Sequence, residues 1–347
     1  MITQALPYAG SLDQIGFVSS SVVDDGPGAG YRVIDVQPMG GIHCRILPDR
    51  GLDLGPAWYQ GFPLDWRSSV GFPSAATASG RPWLESFGGG LMVTCGPDNV
   101  GPDCTDAGRD YGLHGRHAAT PASRVSIDVN ADDEVISIRG LIRHASVFGP
   151  NLLTDRTIRI SLGRPRIEVR DRITNQGSRP EPLMLLYHLN IGYPVMSPAS
   201  RVVIDSEAVL PRDDFATQAL NQWAVGAEPS SGAPPQVFEH VMKTWPSPAH
   251  ATVLNSSFAP CDGIGVRVSV DQRQMPRLWQ WRNMAPGMYL TGIEPANCGV
   301  RGRDVERSEG LVQELPPGSS SEFGFVVEAA TGRDGLARLM QEEQKEE

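Results

Sequence analysis

Arg166-Ile-Glu-Val-Arg-Asp-Arg-Ile173 is the stretch that decides the fold class. Ile167, Val169 and Ile173 fall in one phase of a two-residue period, and Arg166, Glu168, Arg170 and Arg172 in the other. Side chains along a strand alternate between two faces, so one face of this segment packs and the other meets water, as in an antiparallel sheet. Moving outward, Thr157-Ile-Arg-Ile-Ser-Leu162, Val135-Ile-Ser-Ile-Arg-Gly-Leu-Ile142 and Val125-Ser-Ile-Asp-Val129 read the same way, as do Gly41–Leu47 and Tyr31–Val36 further back. Asn130-Ala-Asp-Asp133 and Asn175-Gln-Gly-Ser178 supply turns between them. Strand-like runs resume at Gly265–Val270, Met288–Ile293 and Glu322–Val327. The one extended helical pattern is Gly332 to Lys345, and Asp214 to Trp223 reads as single turns. Without strand–helix–strand alternation, a parallel doubly wound sheet is disfavoured. The expected fold is all-β, a large antiparallel sandwich in one domain over residues 1–347. A long excursion at about residues 205–250 carries the linker-like Ala227–Pro235 and Trp245-Pro-Ser-Pro248, and the charged end from Glu342 reads as a solvated tail.

Composition narrows the function classes. The 347 residues are 40% hydrophobic with a net charge of −10, enough apolar material for a core and the wrong sign for binding phosphate backbones or anionic membranes. No apolar run is long enough to span a bilayer, and the first residues lack the basic and apolar regions of a leader. The cysteines (Cys44, Cys95, Cys104, Cys261, Cys298) are odd in number and widely spaced. They read as free thiols of a cytoplasmic protein, with a Cys95–Cys104 disulfide as the alternative. There is no P-loop, dinucleotide-binding glycine fingerprint, G-x-S-x-G or HExxH, and no close-spaced metal-ligand cluster.

The stretch from Trp83 to Pro121 holds a polar segment of about twenty residues, a length that ordered loops reach chiefly for function. It begins after Gly88-Gly-Gly90 and ends at Leu113-His-Gly-Arg-His117. His114, expected to lead into a strand, and His188, expected at the end of Leu183–Tyr187 and next to Asn190, are candidates for proton transfer near neutral pH. Glu294, between Ile293 and Pro295, reads either as a shielded base of raised pKa or as a turn carboxylate. Arg50 either anchors a substrate or pairs with Asp49 or Asp53. Trp66, Trp83, Trp279 and Trp281 read as core or as platforms for sugar rings. His43, His144 and His250 read as structural, with His250 in a loop, and His117 reads either way.

In chain order, LPDRGLDLG, FGGGLMVTCG, YGLHGRHAATPA, LLYHLNIGYP, GIEPAN and LPPGSSSEF resemble the galactose mutarotase (aldose 1-epimerase) superfamily, and more closely its aldose-epimerase-like branch of the domain-of-unknown-function type. The resemblance covers about residues 30 to 330. It implies a β-supersandwich that interconverts sugar anomers by acid–base ring opening without metal or organic cofactor. It further implies His188 as acid, Glu294 as base and His114 as a substrate-orienting histidine, with Asn190 a looser match. Leu91 stands where the family's substrate-binding arginine is expected, which leaves Arg50 or Arg116 to replace it. Glu239 or Asp214 stands for the sugar-binding acid. The implied ligand is a small carbohydrate, neutral or keto. The alternatives are proton abstraction on a keto or modified sugar, and carbohydrate binding without turnover. An exposed sheet edge is compatible with a homodimer.

Overall fold

The computed structural model describes residues 2–74, 81–232, 234–243 and 248–341. Two large antiparallel sheets dominate it. Across the eleven-stranded sheet run Gly16–Val22, Arg32–Pro38, His43–Leu47, Asp53–Tyr59, Met92–Cys95, Leu186–Ile191, Met288–Ala296, Arg277–Ala285, Gln236–Met242 and Ser206–Pro211, with Phe62–Pro63 paired to Asp53–Tyr59. The eight-stranded sheet runs Arg201–Ile204, Ala249–Asn255, Ile264–Val270, Ser320–Thr331, Arg166–Asn175, Asn151–Ser161, Val135–Ala145 and Ser123–Asn130. Apolar residues from both sheets meet in one core. Ile167, Val169 and Ile173 are fully buried within it, as their alternation predicts.

Two charged residues occupy the inward phase of these alternating strands. Arg156 and Asp171 lie between the sheets, shielded from solvent. Arg156 donates through Nε and Nη2 to Asp171 (2.8 and 2.6 Å), through Nη1 to Asp53 Oδ1 (2.6 Å) and to the Gly51 carbonyl (2.9 Å), and through Nη2 to Thr94 Oγ1 (2.9 Å). Tyr187 Oη donates to Asp171 Oδ2 at 2.8 Å. Burial acts to lower the guanidinium's pKa, but Asp171 and Asp53 outweigh it and hold Arg156 charged. The network ties Asp53, Thr94 and Tyr187 of the larger sheet to Arg156 and Asp171 of the smaller.

Several local expectations are corrected. The excursion is partly sheet: Ser206–Pro211 and Gln236–Met242 form one edge of the larger sheet. Between them, Asp214–Gln218 and Leu220–Gln222 are short helical turns, as the sequence suggests. Trp245–Ser247 and residues 342–347 lie outside the described residues. The last helix spans Gly332–Met340, ending where Gln341 turns extended (φ −81°, ψ 138°). His250 sits in the strand Ala249–Asn255, bonded to Ser269 Oγ, and not in a loop. All five cysteines are free thiols. No helix among the described residues is long and apolar enough to cross a membrane.

Candidate active site

The strand Leu186–Ile191 sits mid-sheet, between Met92–Cys95 and Met288–Ala296. Tyr187, Leu189 and Ile191 point into the inter-sheet core, so His188 and Asn190 must point to the opposite face. The registers Leu186↔Ala296 and Leu189↔Ile293 set His188 across from Glu294. Both lie within strands, not at strand ends as the sequence suggested. Their side chains meet, with His188 Nε2 at 3.1 Å from Glu294 Oε1. Gly292 makes room for the pair: a Cβ there would lie 2.5 Å from Glu294 Oε1 and 3.0 Å from His188 Cε1.

The parts of the Trp83–Pro121 stretch on either side of the strand Met92–Cys95 line a cleft of about 710 Å³ on this face. Trp83, Phe87 and Trp281 wall it, and His114, His188, Glu294, Arg212 and Arg301 supply its ionisable side chains. Trp83 stacks on Phe87 (centroids 4.4 Å apart) and lies against His114 (4.8 Å), while Phe87 and Trp281 flank His188 edge-on at 5.6 and 5.4 Å. His114 does not lead into a strand. It occupies a turn in the left-handed region (φ 56°), pinned by its own amide to the Gly101 carbonyl and by its carbonyl to the Gly96 amide. A non-glycine residue held there is strained, a condition that collects at functional sites. The Gly101 amide donates to His114 Nδ1 at 3.3 Å, which leaves the proton of the neutral ring on Nε2.

Electrostatics follow from the enclosure. Burial, opposed by the charge of Arg212, raises the Glu294 carboxyl to about 8. Burial lowers His188 to about 3, with His114 adding to the effect and Asn190 opposing it. Burial and then Arg212 lower His114 to about 4. Near neutral pH the facing pair therefore holds one proton, on the carboxyl, beside a neutral imidazole. Among the described residues His188 Nδ1 has no hydrogen-bond partner, and Glu294 Oε1 has none beyond the approach of His188 Nε2, so both are buried polar atoms with bonding capacity to spare.

The remaining candidates lie elsewhere. Asn190 is buried behind His188, donating to the carbonyls of Gly90 (2.9 Å) and His188 (3.2 Å). Arg50 is buried outside the cleft and donates to the carbonyls of Ser86 (2.7 Å) and Pro73 (3.3 Å). Arg116 pairs with Asp98 (3.0 Å), and Glu239 with Arg277 (2.7 Å). Asp214 begins the short helix that follows Arg212. Leu91 is fully buried in the core, its amide bonded to the Gly55 carbonyl. Trp66 and Trp279 spend their indole N–H on the carbonyls of Gly287 and Cys298. Arg212, like Arg301, is a cleft residue that the sequence reading missed. The only signal for Arg212 is a position ahead of Asp213-Asp214, which reads as an ordinary solvated turn. Among the described residues no group of three or more His, Cys, Asp or Glu is placed to hold a metal ion.

Outside the cleft, His144 Nε2 meets His117 Nδ1 at 3.2 Å, and His117 Nε2 reaches the Gly51 carbonyl at 3.1 Å. Burial lowers His144 and His240 to about 4 and His117 well below the usual range. With His114 and His188, five imidazoles take up protons in the unfolded chain, near pH 6.5, before they do so in the native one. Stability is therefore full above about pH 6.5 and is lost as pH falls toward 4. Glu294 works in the opposite sense between pH 4.5 and 8, and Asp53, Asp65 and Glu181, whose carboxyls burial also raises, add to it. Urea midpoints should drop steeply from pH 7 to pH 5, and a flat profile would refute this account.

The fold is that of the galactose mutarotase-like proteins. The chain belongs to the family described as Domain of unknown function (DUF4432), whose model matches residues 28–329. A "putative aldose 1-epimerase" of Klebsiella pneumoniae subsp. pneumoniae shares 26% identity over 94% of this chain and 88% of its own, with a TM-score of 0.86. A galactose mutarotase-like protein of Clostridium acetobutylicum (13% identity, 92% and 99% covered, TM-score 0.65) shares the fold. So does a galactose mutarotase related enzyme of Lactobacillus acidophilus (14% identity, 85% and 96% covered, TM-score 0.59). No curated protein matches the chain.

Proposed function

We propose that this protein is a cofactor-independent isomerase that interconverts the anomers of a sugar. The observation that carries the reading is the facing pair of His188 and Glu294, 3.1 Å apart within an aromatic cleft, where burial favours the protonated carboxyl and the neutral imidazole. Ring opening of a hemiacetal requires one group to take the proton of the anomeric hydroxyl and another to give a proton to the ring oxygen as the C1–O5 bond breaks. Rotation about C1–C2 and reclosure then deliver the other anomer. With the proton resting on Glu294, the carboxyl is the donor and the free imidazole the acceptor. That placement is the reverse of the roles that the family resemblance implies. The other placement of the same proton serves the reverse step, and a mutarotase runs both ways.

Trp83, Phe87 and Trp281 offer apolar faces to a sugar ring, and His114 offers an Nε2–H to a hydroxyl. The test is anomer exchange followed by NMR in deuterated water. Exchange cross-peaks between α and β resonances, with no deuterium on carbon, support the reading. Deuterium at a carbon replaces it with proton abstraction next to a carbonyl, and binding without exchange reduces it to carbohydrate recognition.

Gly292→Ala tests the geometry of the pair. A methyl 2.5 Å from Glu294 Oε1 has to displace it or His188. Exchange should slow by about ten- to a hundred-fold, the scale of a misplacement near 1 Å, while thermal stability changes little. Unchanged exchange would show that the contact between the two side chains does not matter.

A further inference from the structure

We propose that Arg212 is the specificity-determining residue of this cleft and that it selects a sugar bearing one anionic substituent, such as a carboxylate, over its neutral counterpart. The proposal rests on the anomer-exchange reading for the nature of the ring, but the charge preference stands on the cleft itself.

Arg212 follows directly on the edge strand Ser206–Pro211, and its amide is bonded to the carbonyl of Val237, a residue of the cleft wall (3.0 Å). Its Nε and Nη2 both donate to Asp213 Oδ2, at 3.1 and 2.8 Å. Asp213 is fixed in turn, because its Oδ1 accepts from the Ala216 amide and caps the following helix (3.0 Å). The guanidinium is thus held in place along one edge, and Nη1 has no partner among the described residues. A planar, pre-oriented fork with a spare donor is the arrangement that reads a carboxylate or a comparable oxyanion.

The other polar groups of the cleft do not compete for an anion. The second lining cation, Arg301, is paired with two carboxylates: Nε bonds Glu306 Oε1 (3.1 Å), Nη1 bonds Glu309 Oε1 (3.0 Å), and Nη2 bonds Glu309 Oε2. Glu294 is the one carboxyl in the lining, and burial keeps it largely protonated near neutral pH. Arg212 is among the residues that line the cleft and Asp213 is not, so the pair presents its positive end there, and Arg212 acts electrostatically on both His114 and Glu294. The sequence alone suggested a neutral or keto sugar because a phosphosugar would need more basic residues than could be placed near the site. Arg212 supplies one.

The experiment compares D-galacturonate with D-galactose and D-glucuronate with D-glucose, in the full chain and in Arg212→Gln and Arg212→Lys. Binding is read by calorimetry and turnover by anomer exchange. The wild-type protein should prefer the uronate of at least one pair by ten-fold or more. Arg212→Gln should bring that ratio close to one, mainly through the uronate KM, and Arg212→Lys should keep part of it. A wild-type ratio near one, a preference for the neutral sugars, an unaltered ratio in Arg212→Gln, or no binding of any of the four sugars overturns the proposal. Arg212-dependent uronate binding without exchange leaves it standing and refutes the mutarotase reading instead.

Discussion

His188→Asn and Glu294→Gln are each expected to slow anomer exchange by about 10²- to 10⁴-fold, the usual contribution of a positioned acid or base. The two losses should not add in the double variant, because the groups act on one proton between them. Both replacements are close in shape to the original side chains and remove a buried ionisable group, so the variants should fold and melt near the wild-type temperature. The pH dependence is a sharper check. Glu294, raised to about 8, carries its proton below that value and loses it as pH rises through it. Exchange catalysed by the wild-type protein should therefore fall above about pH 8, and whatever activity remains in Glu294→Gln should lack that limb. Full activity in either single variant would sink the assignment.

Arg156→Ala is expected to cost about 3–5 kcal/mol, because it strands the Asp53 and Asp171 carboxylates between the sheets without their cation. That is a large share of the 5–15 kcal/mol typical of a domain. It should appear as a lower urea midpoint, with soluble yield reduced at 37 °C. Tyr187, next in sequence to His188, donates to Asp171. Loosening the network should therefore disturb the strand that carries the imidazole, and residual folded protein should exchange anomers more slowly. A loss below about 1 kcal/mol would mean that water enters and solvates the two carboxylates.

Alternation made the fold legible. Ile167, Val169 and Ile173 mark the inward phase of their strand, and a sandwich follows once several such strands lie in series. Period two also placed Asp171 and Arg156 on that inward phase, yet it could not say that they would meet, because that requires the packing of one strand against another. His188 and Glu294 stood out as ionisable residues at the ends of apolar runs, which is the physical mark of a shielded site, though both turn out to lie within strands. Arg50 had an equally plausible motif, but the fold spends its guanidinium on backbone carbonyls near the cleft. Arg212 carried no usable signal, since a charged residue in a turn is ordinarily solvated. Only the pairing of Gln236–Met242 with both Ser206–Pro211 and Arg277–Ala285 brings it over the sheet.

The division between central strands and sheet margin has a consequence for how the protein can change. His188 and Glu294 are locked by register in the middle of a sheet, whereas Trp83, His114 and Arg212 come from connecting segments around it. Retargeting the cleft to another sugar then requires edits only in those connections, a few residues at a time, with the proton-handling pair untouched. Variant libraries confined to residues 81–90 and 211–215 should yield altered selectivity at a far higher frequency than libraries spread over the strands. Natural relatives with the same sheet would be expected to diverge in those segments first.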